Sequence, residues 1–321
     1  MPRLLLALTL GLTLAACDFE QVIELDVPPY EPRLVLGGFP TPDSVFTVRV
    51  GRSASALTPT DFDPLALVVD DARLALFDAD GTFLDSLYQS SPFYDDFPTP
   101  GVYRSLSGLR PEPGRSYTLR VDAPGLPSVR ATTRLPEPIT FAVRVDGVAE
   151  DVPGRGRIAR VVVTVPDPPG PQAYALGIQQ TVRFQDGTSY VQPLPFSSVD
   201  QVLRESFDRL DVAVDIDVDI DQGQRTFYGR ALLRDATFAG TTRQIPLDLV
   251  IFDTGSAERD PVVVTLAVLD DDYVRYQQTL ALQDINGDNP FAEPVRIHSN
   301  VEGGLGVFAG YAGSSVVVDI E

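Results

Sequence analysis

Lysine and tryptophan are missing from this chain of 321 residues, and cysteine, histidine and methionine occur once each. One cysteine excludes an intrachain disulfide framework and a zinc site of the Cys/His type. One histidine leaves His298 as the sole base a Ser-His-Asp triad could use. No Gly-x-Ser-x-Gly elbow occurs to carry the nucleophile. Without tryptophan the best sugar-stacking side chain is gone, which speaks against glycan capture. Every basic residue is arginine, and 25 of them stand against 45 Asp and Glu for a formal net charge of −20. Such a surface repels phosphate backbones, so no nucleic acid is expected as a partner. What is present is a globular composition, with 44% hydrophobic and 22% charged residues, broken into short segments by 25 Gly and 28 Pro.

The first residues read as an address. Arg3 precedes an apolar run over 4–16 that is too short to span a bilayer as a helix. The run ends Leu14-Ala15-Ala16, directly before the lone Cys17. That arrangement resembles the bacterial lipobox, in which the chain is cut before the cysteine and the cysteine is acylated. We therefore expect a signal peptide over 1–16 and a lipid-bearing tether over 17–32, stiffened by Pro28, Pro29 and Pro32. No later stretch reaches the roughly 18 apolar residues of a membrane span. The chain is thus expected to be held to a membrane surface by lipid, with the face it occupies left open.

Beyond the tether the pattern is that of an all-β protein. Alternation of apolar and polar residues predicts strands over 33–37, 45–50, 73–78, 101–107, 116–122 and 129–134. Turn formers such as Asp80-Gly81 and Pro124-Gly125 separate them. Short strands at this spacing suggest an immunoglobulin-like sandwich over 33–136. Pro136 and Pro138 suggest a linker, followed by a larger β-rich domain over 137–321. Strands are predicted there over 158–165, 173–184, 211–221, 225–233, 244–252, 262–269 and 316–320. Two helices are predicted as well. One covers 198–210, with Ser198 and Gln201 as a capping box. The other covers 270–283, capped by Asp270 and carrying Tyr273, Tyr276 and Leu280 on one face.

The carboxy-terminal block is distinctive: Tyr273 and Tyr276 on the helix, then Asn289-Pro290-Phe291, Glu293-Pro294-Val295, Ser299-Asn300, Gly303-Gly304-Leu305-Gly306 and Phe308. With the lipobox and the "GVYRS…GRSYTLRV" pattern of 101–121, this block resembles the Bacteroidota lipoprotein family called domain of unknown function 4249. The resemblance implies an outer-membrane location and a TonB-dependent receptor as partner, because members are commonly encoded beside such receptors. It supplies no catalytic residues. Tyr273, Tyr276, Asn289, Pro290, Phe291, Asn300, Gly303, Gly304, Gly306 and Phe308 are expected to act in the architecture.

Other groups invite chemistry and mostly fall short of it. Asp215, Asp217, Asp219 and Asp221 would share one face of a strand. A straight row spaces such carboxylates about 6–7 Å apart, whereas calcium wants its oxygens about 2.3–2.6 Å from one point. Asp284, Asn286 and Asp288 have the start of a calcium loop. The sixth and twelfth places, which need Gly and Glu, hold Asn289 and Val295. No metal or other cofactor is therefore expected. The glycines of 303–306 lack the Lys-Ser/Thr ending of a phosphate loop and fit close strand packing better. Phe93, Tyr94 and Phe97 fall in an acidic, proline-edged loop that suits either partner recognition or packing back on the sheet. The leading functional expectation is a non-catalytic binding or accessory lipoprotein in nutrient capture. A structural or adhesive envelope lipoprotein is the alternative, and a carboxylate-based hydrolase stands behind both.

Overall fold

The computed structural model describes residues 30–55, 63–89, 93–94, 97–98, 100–152, 156–184, 186–204, 225–251, 258–287, 293 and 295–320. Strand after strand in it obeys the alternation of the sequence. In Ser116–Asp122, for example, Tyr117, Leu119 and Val121 point inward and the residues between them do not. Pro32–Glu321 form one unit, and no helix among the described residues is long and apolar enough to cross a membrane.

The first nine strands are β1 (Leu34–Gly38), β2 (Thr47–Arg52), β3 (Arg73–Asp78), β4 (Phe83–Gln89), β5 (Phe93–Tyr94), β6 (Phe97–Pro98), β7 (Val102–Ser105), β8 (Ser116–Asp122) and β9 (Val129–Arg134). Next come β10 (Ala142–Val152), β11 (Gly156–Pro166), β12 (Ala173–Arg183), β13 (Ser189–Pro193), β14 (Pro195–Ser198) and a one-turn helix α1 (Gln201–Arg204). The chain ends with β15 (Arg225–Tyr228), β16 (Arg230–Arg234), β17 (Thr242–Ile251), β18 (Glu258–Leu269), helix α2 (Asp271–Gly287), β19 (Val301–Glu302), β20 (Leu305–Phe308) and β21 (Tyr311–Val318).

Seven of the first nine strands join two late ones in a single path, β19-β9-β8-β3-β4-β7-β2-β1-β20. Its two ends, β19 and β20, are separated in sequence only by Gly303 and Gly304, so the sheet curls round on itself. Inside the curl lies a core that includes Leu36, Phe46, Leu76, Tyr117, Leu119 and Phe308. The expected boundary at 136/137 falls between β9 and β10. The sheet begun by 33–136 is nonetheless completed by residues from 301–308. Nor do the prolines make a loose linker, since Leu135 is buried in the first core and Phe141 in the second.

The second core is enclosed by two facing sheets, β10-β11-β17-β14-β15 and β13-β12-β18-β21, with β16 also paired to β12. Val161 and Val163 from one meet Leu176 and Leu266 from the other, and Phe196 stacks on Phe227 at 5.2 Å.

The all-β expectation holds, with local differences. The helix predicted over 198–210 is described only as the single turn α1. Ser198 closes β14 instead, its hydroxyl donating to the Pro246 carbonyl at 2.6 Å. Asp200 caps the turn by accepting from the Val202 amide at 2.9 Å, and it pairs with Arg243 at 2.8 Å. The predicted strand over 211–221, with its row of aspartates, lies outside the described residues. Helix α2 continues to Gly287, beyond the expected 283.

Candidate functional site

Asp270 caps α2 as its sequence position predicts, accepting from the Asp272 amide at 2.8 Å. It also accepts from the Thr133 hydroxyl at 2.9 Å and the Arg134 amide at 3.3 Å, which ties the helix to β9. Burial pushes its carboxyl above the usual range, ahead of the hydrogen bonds that pull it down. Asp272, in the first turn, meets His298 Nε2 at 2.8 Å and accepts from Asn300 Nδ2 at 3.0 Å. Asn300 then copies a backbone group. Its Oδ1 accepts from the Phe308 amide at 2.9 Å, and its Nδ2 donates to the Phe308 carbonyl at 2.9 Å. The sole histidine and the Asn300–Phe308 pair thus form a clasp between α2 and the curled sheet.

The glycines of the clasp are demanded by backbone proximity. Gly303 has φ +80°, and a Cβ on Gly304 would come within 2.7 Å of the Leu34 carbonyl and 2.8 Å of Val129 Cγ1. Gly306 has φ +100°, and its added Cβ would run into the Leu36 carbonyl. These glycines let β19 and β20 lie against β9 and β1.

Beside the clasp a cleft of about 480 Å³ opens over the outer face of the β12–β18 sheet. Its floor is made of small residues, because Ala175 and Gly177 of β12 lie opposite Ala267 and Thr265 of β18. One wall carries Tyr228 and Arg230, the other Tyr273 and Tyr311, with Asp43 at the mouth. Arg230 Nη1 donates to Tyr273 Oη at 3.3 Å. Tyr273 sits edge-on to Tyr311 at 5.8 Å and to Phe39 at 5.3 Å, while Tyr276 leans on Phe39 at 6.0 Å. Burial pushes the Tyr311 hydroxyl up, the Asp43 charge adds to the rise, and Arg230 opposes it. A lining of rings, a guanidinium and a small-residue floor suits holding a small molecule. Two other hollows are an open surface of about 600 Å³ beside Arg120, Arg130 and Gly303, and one of about 400 Å³ beside Asp235 and Asp271.

Of the residues singled out from sequence, Tyr273 alone both stands on the expected helix face and lines this cleft. Cys17, Asp288, Asn289, Pro290 and Phe291 lie outside the described residues. The backbone of Phe93–Tyr94 pairs with Phe97–Pro98 as a small hairpin. Asp284 and Asn286 fall on the last turn of α2, where helical backbone replaces the loop a calcium site would need. Among the described residues no three His, Cys, Asp or Glu side chains gather as a metal site would require. Arg230, Gly177 and Tyr311 were not anticipated. Arg230 and Gly177 sit in strands with nothing to mark them, and Tyr311 lies just past the distinctive block.

No curated protein matches the chain significantly. Residues 20–315 match the profile of a family described as domain of unknown function (DUF4249), and with that span covered the chain belongs to this family.

Proposed function

We propose that the protein is a lipid-anchored binding subunit of the outer membrane, working beside a TonB-dependent receptor in nutrient capture and doing no chemistry on what it binds. The observation that carries this reading is the lone Cys17 placed directly after Leu14-Ala15-Ala16 at the end of an apolar leader. Acyl chains on that residue would anchor the folded body firmly, since each buried methylene contributes about 0.8 kcal/mol. The cleft over Gly177 supports binding, because its lining orients and shelters a ligand without presenting an activated nucleophile. The polar contacts of His298 also fit a non-catalytic role, since both its Nε2 and its amide are engaged in holding α2.

The test is made on native membranes. The full chain should incorporate labelled fatty acid, and Cys17→Ala should abolish incorporation and release the protein from the membrane. Cross-linking followed by mass spectrometry should recover a β-barrel receptor. Retention of label by Cys17→Ala would overturn the anchor, and cross-links only to peptidoglycan or adhesins would overturn the receptor partnership.

A further inference from the structure

The open hollow of about 600 Å³ lies on the outer face of the curled sheet, and the charge of that face runs against the rest of the molecule. Register puts Arg120 of β8 directly opposite Arg130 of β9, with Ala75 on one side of the pair and Glu302 on the other. Arg73 lies opposite Asp122, and Arg134 opposite Ser116. These outward positions hold four arginines against two carboxylates, in a chain of 25 basic and 45 acidic residues. Asp78, which also borders the hollow, is turned into its own loop, where it accepts from the Asp80 and Thr82 amides at 3.0 and 2.8 Å. Arg120 meets Asp122 through its Nε at 3.2 Å, yet its side chain stays 60% exposed, and Arg130 is exposed beside it. Like charges directly opposite on neighbouring strands destabilise a sheet, and an anion between them relieves the repulsion. Phe77, at the border of the hollow, stands edge-on to Phe83 at 6.0 Å, and Phe83 is 56% exposed. The chain also enters the fold here. A Cβ on Gly304 would come within 2.7 Å of the Leu34 carbonyl, and the neighbouring Gly303 lines the hollow, so β1 begins beside this face.

We propose that this face lies on the membrane surface, with the phosphate of an anionic lipid headgroup held between Arg120 and Arg130. Guanidinium and phosphate match in geometry as well as charge. An exposed ring beside basic side chains is the pairing that interfacial segments use, the ring entering the acyl boundary while the cations meet headgroups. The net charge of −20 does not forbid this. At physiological salt a charge is felt over only about 8 Å, so the bilayer senses the near face and not the whole molecule. Each net positive charge at an anionic surface shifts partitioning about fivefold, so four arginines less two carboxylates shift it about twenty- to thirtyfold. That orients a body already tethered at the membrane and does not retain an untethered one, so release of Cys17→Ala remains the expectation. This inference rests on the lipid-anchor reading above and gives the anchored body its orientation.

The chain from residue 17 onward keeps the whole compact unit Pro32–Glu321. Made in a host cytosol it carries a single thiol, at Cys17, and is coupled through it to a maleimide lipid. The vesicles are phosphatidylcholine alone or phosphatidylcholine with phosphatidylglycerol. Exposed arginines are modified with phenylglyoxal and read peptide by peptide in the mass spectrometer. Arg120 and Arg130 should react about fivefold more slowly or less on the anionic vesicles than on the neutral ones. Arg49 and Arg296, exposed elsewhere, should react equally on both. Salt at about 1 M should remove the protection, because it shortens the reach of charge to about 3 Å. Arg120→Gln combined with Arg130→Gln should abolish protection of Arg73 at an unchanged melting temperature. Arg49→Gln combined with Arg296→Gln makes the same change in net charge and should leave Arg120 and Arg130 protected. Equal modification of Arg120 and Arg130 on the two kinds of vesicle, or protection that persists at high salt, would overturn the proposal. So would equal protection by inorganic phosphate without vesicles, which would make the hollow a site for a free anion. The tether in this experiment is chemical, so none of these results depends on lipid incorporation at Cys17 in the cell, and the two readings fail separately.

Discussion

A carboxylate turned into an apolar core usually destabilises it, and Asp85 in β4 shows how its surroundings reverse that sign. It is buried, yet it accepts from the Ser105 hydroxyl, from the Ser107 hydroxyl at 2.9 Å and from the Ser86 amide at 2.8 Å. Burial alone would raise its pKa, but these hydrogen bonds together outweigh burial and hold it below the ordinary carboxylate value. A folded-state pKa below the unfolded one contributes stability that is present above about pH 4 and is lost as pH falls through the folded value. Asp85→Asn places an amide against donors. It should cost about 2–3 kcal/mol at pH 7 in urea unfolding, and the gap to wild type should narrow below pH 4. A constant gap across that range would assign the loss to packing. Asn300→Ala leaves the Phe308 amide and carbonyl without the side chain that meets both, and should cost about 2 kcal/mol. Asp85 also explains why β4 was hidden in the sequence. In Phe-Leu-Asp-Ser-Leu-Tyr-Gln the inward positions include an aspartate, so the apolar alternation that marks β3 and β8 breaks there.

Among the elements, β20 and the turn before it concentrate strict steric demands. Gly306→Ala should cost about 3 kcal/mol or more, from positive-φ strain together with collision against the Leu36 carbonyl. Gly81→Ala, at φ +80° with nothing within 4 Å, should cost only about 1 kcal/mol. Thermal unfolding of the two variants under identical conditions separates collision from conformational preference. The same elements show how far local signals reach. Helix α2 was legible because Asp270 caps it and its acidic first turn and tyrosine face follow at helical spacing. The helix predicted over 198–210 starts later, at Gln201, because Ser198, a good cap by type, is committed to β14 and the Pro246 carbonyl. Strands β19 and β20, of two and four residues, are too short for periodicity to register.

Across the whole molecule, the parallel pairing of β1 with β20 is the only parallel one among the described strands, and it links residues 35–38 to 305–308. A fragment covering residues 30–138 would lack β19 and β20, leave the outer edges of β1 and β9 unpaired, and lose the fully buried Phe308 from its core. Deleting one buried phenylalanine side chain costs about 3–5 kcal/mol, against a domain stability of about 5–15 kcal/mol. We expect that fragment to show no cooperative melt and to lack amide protection in hydrogen exchange, and the full chain to protect β1 and β20 together. The cleft was illegible for a related reason. Arg230, Gly177, Thr265 and Ser315 become neighbours only through register, and no sequence window holds more than one of them.

The late partner of β1 also sets an order of events at the ribosome. Until residue 305 of 321 emerges, the amino-terminal half keeps two raw margins and cannot lock. A first strand that must wait for residues 305–308 leaves its sheet pliable throughout the synthesis of everything between them.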